Sequence, residues 1–366
     1  MFFFCNFTIL KVILQKINKI TPYTLNNNKG TEIASLGEFG LVDRLTKRLE
    51  QRNATTLRAA GDDAAVIDLG NEVLLLTTDM LTEGIDFDLS YFPLKHLGYK
   101  AVVRGVNDIL AMNGHPEQIV VALGISAKIT VEALDALYEG METACKELGV
   151  DLVGGDTTAS MNGLIITISA VGRAAKDEVV YRSGAKEHDL ICITSNLGAA
   201  YMGLHLLERE KRVLKDIANP EPQFAGFEYL LERYLKPRAR ANVLKALADE
   251  GIRPTSMIDL SDGLASDLRQ ICLASQCGAR IYLERIPIAR QTSELAEQMH
   301  IDPVVAALNG GEDHELMFTV PLAMQEKIMA LGLVDVIGHI TREEAGVVLV
   351  TPDGEGIALK AQAFDR

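Results

Sequence analysis

The sequence has no Trp, and aromatic residues make up only 5% of its 366 positions. That argues against a single-stranded nucleic-acid platform, which stacks bases on aromatic rings. Positive charge is also in short supply: 36 Lys and Arg stand against 50 Asp and Glu, a formal charge of −14. Such a surface repels a phosphate backbone, so no nucleic-acid partner is expected. It also repels a free nucleotide unless cations bridge carboxylates to phosphates. The five cysteines (Cys5, Cys145, Cys192, Cys272 and Cys277) form no C-x-x-C pair. The body of the chain therefore reads as reduced and cytoplasmic. Cys272 and Cys277 fall on a predicted helix at a spacing that shares no face, which speaks against a joint role. No apolar run is long enough to span a bilayer, so no membrane partner is expected. There is no G-x-x-x-x-G-K-[S/T], no G-x-G-x-x-G, no protein-kinase motif set, no H-E-x-x-H and no G-x-S-x-G. P-loop, dinucleotide-binding, zinc-peptidase and serine-hydrolase chemistries lose their usual signatures.

What the chain does have is a recurring acidic turn. Gly61-Asp62-Asp63-Ala64-Ala65-Val66 reads as a turn closing on two carboxylates before a strand. Thr77-Thr78-Asp79 follows the apolar run Val73-Leu74-Leu75-Leu76, so the two read as acidic strand ends of a hairpin-like pair. Asn107-Asp108, Gly154-Gly155-Asp156-Thr157-Thr158, Asp259-Leu260-Ser261-Asp262-Gly263 and Gly310-Gly311-Glu312-Asp313 repeat the theme. Each alone is an ordinary solvated turn, and Ser261 and Asp262 are also good helix caps. The repetition is the signal: hard cations such as Mg²⁺ bind through a few carboxylates plus substrate phosphates.

Length suggests two domains, with the boundary where composition turns polar near Gly172-Arg173-Ala174-Ala175. The expected division is 31–173 for an N-terminal metal- and ATP-binding, dimerising domain and 174–366 for a C-terminal α/β domain. Residues 1–30 contain no acidic residue, and their cation pattern is wrong for a signal peptide. They are expected to be translated upstream sequence, non-native or disordered, with the working protein starting near Thr31. Hydrophobic periodicity predicts an amphipathic helix over 38–53, a helix entered at Pro93 and stopped at Asn113-Gly114, and a helix capped by Thr130. Strands are predicted over 118–126, 164–171, 190–194, 279–283, 315–320, 334–340 and 347–350. Helices are predicted over 198–209, 222–234, 237–250 and 264–275, and the last helix near Leu322. The Gly-Gly-Asp-Thr-Thr segment is expected to be a turn. The whole is an α/β (α+β) layered fold.

The motifs Gly-Asp-Asp-Ala-Ala-Val, Thr-Thr-Asp-x-x-x-Glu-Gly-x-x-Phe, Asn-Asp-Ile-x-Ala-Met-Asn-Gly, Gly-Gly-Asp-Thr-Thr, Arg-Ser-Gly-Ala-Lys, Asp-Leu-Ser-Asp-Gly-Leu and Gly-Gly-Glu-Asp-x-Glu-Leu occur in order from residue 61 to residue 316. In this order and spacing they resemble the thiamine-monophosphate kinases of the aminoimidazole ribonucleotide synthetase-like superfamily. The resemblance runs from Thr31 to the C-terminus. It implies ATP-dependent phosphorylation of thiamine monophosphate to thiamine diphosphate with several Mg²⁺ ions and no phosphoenzyme. It implies a homodimer whose N-terminal domains meet in a barrel, and ATP in a cleft between domains. Matching motif positions put metal ligands at Asp63, Thr77, Thr78, Asp79, Asp108, Asp156, Asp259 and Asp262. They put nucleotide contacts at Gly155, Asp156, Arg182 and Ser261, and substrate contacts at Asp86, Glu312 and Phe364.

Elementary chemistry agrees with that implication. An acceptor phosphate is already ionised at neutral pH, so no general base is expected, and phosphoryl transfer needs positioning and charge neutralisation above all. Arg182 would offer a forked donor to phosphate. Glu312 or Asp86 would suit the cationic thiamine ring. The chain departs from the family pattern where Asp86 replaces a common His, where His314 replaces a usual Tyr, and in its ending Ala363-Phe364-Asp365-Arg366. The alternatives are another ATP-using superfamily member, a non-catalytic nucleotide or thiamine-phosphate binder, or a structural dimer with acidic loops. Cys5 lies in the wrong context for a selenophosphate synthetase, and no C-terminal cysteine suits the hydrogenase-maturation relatives.

Overall fold

A computed structural model describes residues 36–215 and 221–360; the expectations for residues 1–30 and for Phe364 lie outside them. Two antiparallel-rich sheets organise the chain. The first has the order β1-β2-β3-β6-β4-β5, built from Thr56–Arg58, Ala65–Asp68, Glu72–Thr82, Ile165–Ala175, His115–Ile125 and Asp151–Ala159 respectively. Ahead of it lies helix α1, Gly37–Thr46. Helices α2 (Leu94–Ala111) and α3 (Val131–Leu148) belong to this first unit. Both contain a glycine where they cross. A Cβ on Gly98 would lie 1.9 Å from the Leu137 carbonyl oxygen, and one on Gly140 would lie 1.8 Å from that of Lys95. Only glycine allows the two backbones to approach so closely.

The second sheet has seven strands: β7 (Leu190–Thr194), β8 (Ser256–Leu260), β9 (Cys277–Tyr282), β10 (Glu315–Val320), β11 (Val334–Arg342), β12 (Val347–Val350) and β13 (Gly356–Ala358). Their order is β13-β12-β9-β11-β7-β10-β8. Helices α4 (Ala199–Leu214), α5 (Glu228–Leu235), α6 (Ala241–Asp249), α7 (Leu264–Ser275), α8 (Arg290–Gln298), α9 (Pro303–Asn309) and α10 (Gln325–Leu331) complete this unit. β7, β8 and β10 are buried along their whole length, and they bury the polar Ser256, Asp259, Glu315 and Thr319 among apolar neighbours. Helix α2 joins the two units. Its Val102, Val103, Val106 and Ile109 pack in the core of the first, while Leu110 and Ala111 pack with Leu190, Met257 and Phe318 of the second.

Several sequence expectations are corrected. Thr77-Thr78-Asp79 does not end a strand: β3 continues to Thr82 and pairs with β6 along its length. Gly154-Gly155-Asp156-Thr157-Thr158 is not a turn but the body of β5. Gly155 is needed there because a Cβ would meet the Val121 carbonyl oxygen of β4 at 1.9 Å. The first helix stops at Thr46, and Val42, Leu45 and Leu49 of its apolar stripe are exposed. Cys277 lies not on α7 but at the start of β9, because Gln276 turns the chain in a left-handed conformation (φ 53°). Its thiol thereby pairs with that of Cys272, so the two share an environment after all. No helix among the described residues is long and apolar enough to cross a membrane.

Candidate active site

The β2–β3 hairpin sets Asp63 just before β2 and Thr77 just past the paired stretch Ala65↔Leu76. Side chains alternate across a strand. Thr77 is buried on the face that meets α2, and Asp79 is half-buried there, whereas Thr78 is exposed on the opposite face. Thr78 Oγ1 lies 3.0 Å from Ser169 Oγ on that outer face. Thr77 Oγ1 donates to Asp108 Oδ2 of α2 at 2.5 Å. One residue earlier on the helix, Asn107 Nδ2 donates across the domains to Asp259 Oδ2 at 3.2 Å. Asp63, Asp79, Asp108 and Asp259 thus converge where β3, α2 and β8 meet.

Their electrostatics record the convergence. Burial pushes the Asp63 carboxyl up to about 7; Arg182 opposes this and Asp259 adds to it. Burial also pushes Asp108 well up, reinforced by Asp259 and Asp63. Asp79 is raised by burial against the opposing charge of Arg104. Each carboxylate disfavours ionisation of its neighbours, as like charges in a partly desolvated site do. Two cations answer four carboxylates. Arg182 Nε donates to Asp63 Oδ1 at 3.0 Å, and Arg104 Nε lies 2.5 Å from Asp79 Oδ2. Asp63 Oδ2 and Asn107 Oδ1 are buried with no hydrogen-bond partner. An excess of carboxylate oxygen, some of it orphaned, suits hard cations. Among the described residues, no three carboxylate, imidazole or thiol groups form a ready-made metal cage. A cation here would draw further oxygens from phosphates.

Asp156 and Gly155 lie elsewhere. Asp79, Ile168, Val121 and Gly155 form one cross-strand row, and Met80, Thr167, Ala122 and Asp156 the next. Three inter-strand spacings, roughly 14 Å in all, separate β3 from β5. Asp156 shares the outer face with exposed Met80, away from α2. Ser261 and Asp262 lie in the loop between β8 and α7. Gly263 occupies the cap position with no side-chain cap, and its N–H donates to Asp267 Oδ2 at 3.1 Å. The capping reading of Ser261 and Asp262 is therefore not realised. The Ser261 carbonyl instead accepts from Glu312 N at 2.9 Å, tying this loop to the Gly-Gly-Glu-Asp turn.

Glu312 and Asp86 meet on the same side of α2. Lys100 Nζ, wholly buried, lies 2.6 Å from Glu312 Oε2 and 4.0 Å from the Tyr234 ring centre. Burial opposes ionisation of Glu312, but Lys100, with His314 and Arg104, outweighs it and holds the carboxyl well below the usual range. Asp86 Oδ2 accepts from Thr82 N at 2.8 Å, and Asp86 Oδ1 accepts from Arg104 Nη1 at 2.8 Å. Glu312 and His314 both have positive φ (62° and 50°), and both His314 ring nitrogens are buried without hydrogen-bond partners. Non-glycine backbone in this region costs about 1–3 kcal/mol per residue and persists where surroundings enforce it. Sequence reasoning did not single out Lys100 or Arg104. Their signal was the four-residue spacing Lys100, Arg104, Asp108, which puts all three on one helix face.

Comparison with known proteins agrees with this architecture. The family described as AIR synthase related protein, N-terminal domain, matches residues 61–174, and its C-terminal domain matches 186–351. The chain is 30% identical over 337 residues to the thiamine-monophosphate kinase of Bacillus subtilis (strain 168), covering 90% of this chain and 99% of that protein. It is 33% identical over 341 residues to the Escherichia coli (strain K12) enzyme of the same name, covering 90% and 98%. Among solved structures, AaThiL complexed with AMPPCP and TMP is similar at a TM-score of 0.76 and 29% identity, covering 90% of this chain and 97% of that one. With its two domains in this order and its acidic convergence between them, the chain belongs to the thiamine-monophosphate kinase family of AIR synthase related proteins.

Proposed function

We infer that this protein transfers the γ-phosphoryl group of ATP to thiamine monophosphate, forming thiamine diphosphate and ADP. The convergence of Asp63, Asp79, Asp108 and Asp259 at the domain junction carries the reading, together with relatives that bear this activity as their name. An acceptor phosphate oxygen attacks Pγ, the bond from Pγ to the β,γ-bridging oxygen breaks, and ADP leaves with that electron pair. The acceptor oxygen is already ionised, so no side chain need take a proton. Mg²⁺ held by Asp63, Asp79, Asp108 and Asp259, with Thr77 and Asp262 nearby, would neutralise phosphate oxygens and favour in-line geometry.

The protein's own groups do the positioning. Arg182, now on Asp63, would turn its fork to the nucleotide phosphates as cations take over the carboxylate. Glu312 and Asp86 mark the acceptor side, and Ser261 marks the nucleotide side of the β8–α7 loop. Gly155 lies in the Asp79 row and would join the site through the nucleotide; Thr78 and Asp156 belong to it only if a second chain or the substrates draw the outer sheet face into it. A homodimer would do so. That face carries Met80 and Val120, 58% and 42% exposed, and ends in the edge strand β5. Closure of two such sheets into a barrel would cover it. The domain division near residue 173 fits family matches that end at 174 and resume at 186. A cytoplasmic location fits cysteines that, among the described residues, form no disulfide. The direct test is chromatography after incubation with ATP, Mg²⁺ and thiamine monophosphate. Equal yields of ADP and thiamine diphosphate, lost with EDTA, are expected; nucleotide binding without thiamine diphosphate would point to a non-catalytic binder.

A further inference from the structure

Arg104 touches both sides of the reaction as proposed above. Its Nε is 2.5 Å from Asp79 in the carboxylate convergence. Its Nη1 is 2.8 Å from Asp86 and 3.5 Å from Glu312 on the acceptor side. These contacts span β3, the turn that follows it and the second domain. Nη2 takes part in none of the three, and a fifth of the side chain is open to the cleft. The neighbouring cation differs. Lys100 is sealed between Glu312, Phe92 and Tyr234 with no exposed surface, so it neutralises Glu312 and reaches nothing else.

We propose that Arg104 is the residue that recognises the acceptor's phosphate group and so restricts the enzyme to phosphomonoester acceptors. An acceptor phosphate must lie between the γ-phosphoryl group, gathered at Asp79, and the cationic ring, gathered at Glu312 and Asp86. Arg104 occupies that interval. A dianion entering a cleft lined by Asp63, Asp79, Asp108, Asp259, Asp86 and Glu312 is repelled unless a cation receives it. A guanidinium offers five donors in a planar fork that matches phosphate oxygens two at a time. On binding, the acceptor phosphate replaces Asp79 as the partner of the fork and leaves Asp79 to its role at the nucleotide. The motif resemblance assigns residue 104 no contact.

The inference rests on the kinase reading, and the experiment separates the two. Titration calorimetry compares thiamine monophosphate with thiamine, which lacks the phosphate, on the full protein and on its Arg104→Gln and Arg104→Lys variants. Turnover is assayed in parallel. The wild-type protein is expected to prefer the monophosphate, and Arg104→Gln to lose about 10- to 100-fold of affinity for it while binding thiamine as before. Arg104→Lys keeps the charge but not the fork and should fall between. KM for thiamine monophosphate should rise in step, with KM for ATP unchanged. An Arg104→Gln protein that keeps the full preference overturns the proposal, as does equal loss of both ligands or a wild type with no preference. Should the wild type prefer the monophosphate yet form no thiamine diphosphate, the kinase reading fails and Arg104 as the phosphate receptor stands. Because Arg104→Gln leaves Asp79 and Asp86 short of a cation, while Glu312 keeps Lys100, its melting temperature is measured too. If it does not fold, the Lys variant alone decides: undiminished preference there overturns the proposal, and reduced preference supports it.

Discussion

Asn107 Nδ2 on α2 donates to Asp259 Oδ2 on β8 at 3.2 Å, one hydrogen bond joining the two domains at the point where the carboxylates converge. Asn107 is wholly buried, so its partner cannot be replaced by water without rearrangement. Asn107→Leu should therefore cost about 1.5–3 kcal/mol, the usual range for a hydrogen bond to a charged group. Urea denaturation reads the loss, and an unchanged midpoint would show that the bond contributes nothing.

Asp79 faces α2 in mid-strand, held by Arg104 rather than by backbone. Asp79→Asn keeps the shape of the side chain and removes one charge from the convergence. Turnover is expected to fall at least 100-fold, about 2.7 kcal/mol in transition-state stabilisation, with the circular dichroism spectrum retained. Full activity in this variant would remove Asp79 from the site.

The pH dependence of stability follows from Asp63. Its carboxyl is pushed up to about 7 by burial in the folded protein, against an ordinary value of 3.8. Between those values the folded state holds a proton that the unfolded chain releases, so stability falls as pH rises through that window. The metal-free protein should melt higher at about pH 6 than at about pH 8. Added Mg²⁺ should raise the melting temperature more at the higher pH, where the carboxylates are ionised and uncompensated. Equal shifts from Mg²⁺ at both values would contradict the assignment of Asp63 to a cation site.

The crossing of α2 and α3 has no room for a methyl group. Gly140→Ala would set a Cβ 1.8 Å from the Lys95 carbonyl oxygen, a backbone atom that moves only with its helix. The expected cost is about 1–3 kcal/mol, as for overpacking elsewhere, read as a lower melting temperature. Because α2 also carries Arg104 and Asp108, activity at moderate temperature should fall as well. A melting temperature unchanged from wild type would mean that the helices separate freely.

Much of this was legible in the residues. Glu315 to Val320 reads as a strand because its apolar run is too short for a helix and ends in the strand-favouring Phe318, Thr319 and Val320 before Pro321. The stop at Asn113-Gly114 was legible because Asn113 takes the left-handed conformation (φ 57°) that such a pair favours. Thr77 and Asp79 were misplaced at a strand end because polar side chains at inward positions break the period-2 code. Tertiary contacts with Asp108 and Arg104 satisfy them instead. Gly154-Gly155 looked like a turn because glycine usually marks one; here Gly155 admits the close approach of β4. Lys100 and Arg104 were passed over because cations on a helix ordinarily face water. Here Asp79 and Asp86 of the first domain and Glu312 of the second turn them inward.

The most direct test of the account follows the phosphoryl group itself. ATP radiolabelled at the γ-phosphate is mixed with the protein, Mg²⁺ and thiamine monophosphate, and products and protein are separated. The account predicts label in the terminal phosphate of thiamine diphosphate, one per ADP formed, and none on the protein. Label retained on the protein, or released only as inorganic phosphate, would contradict it.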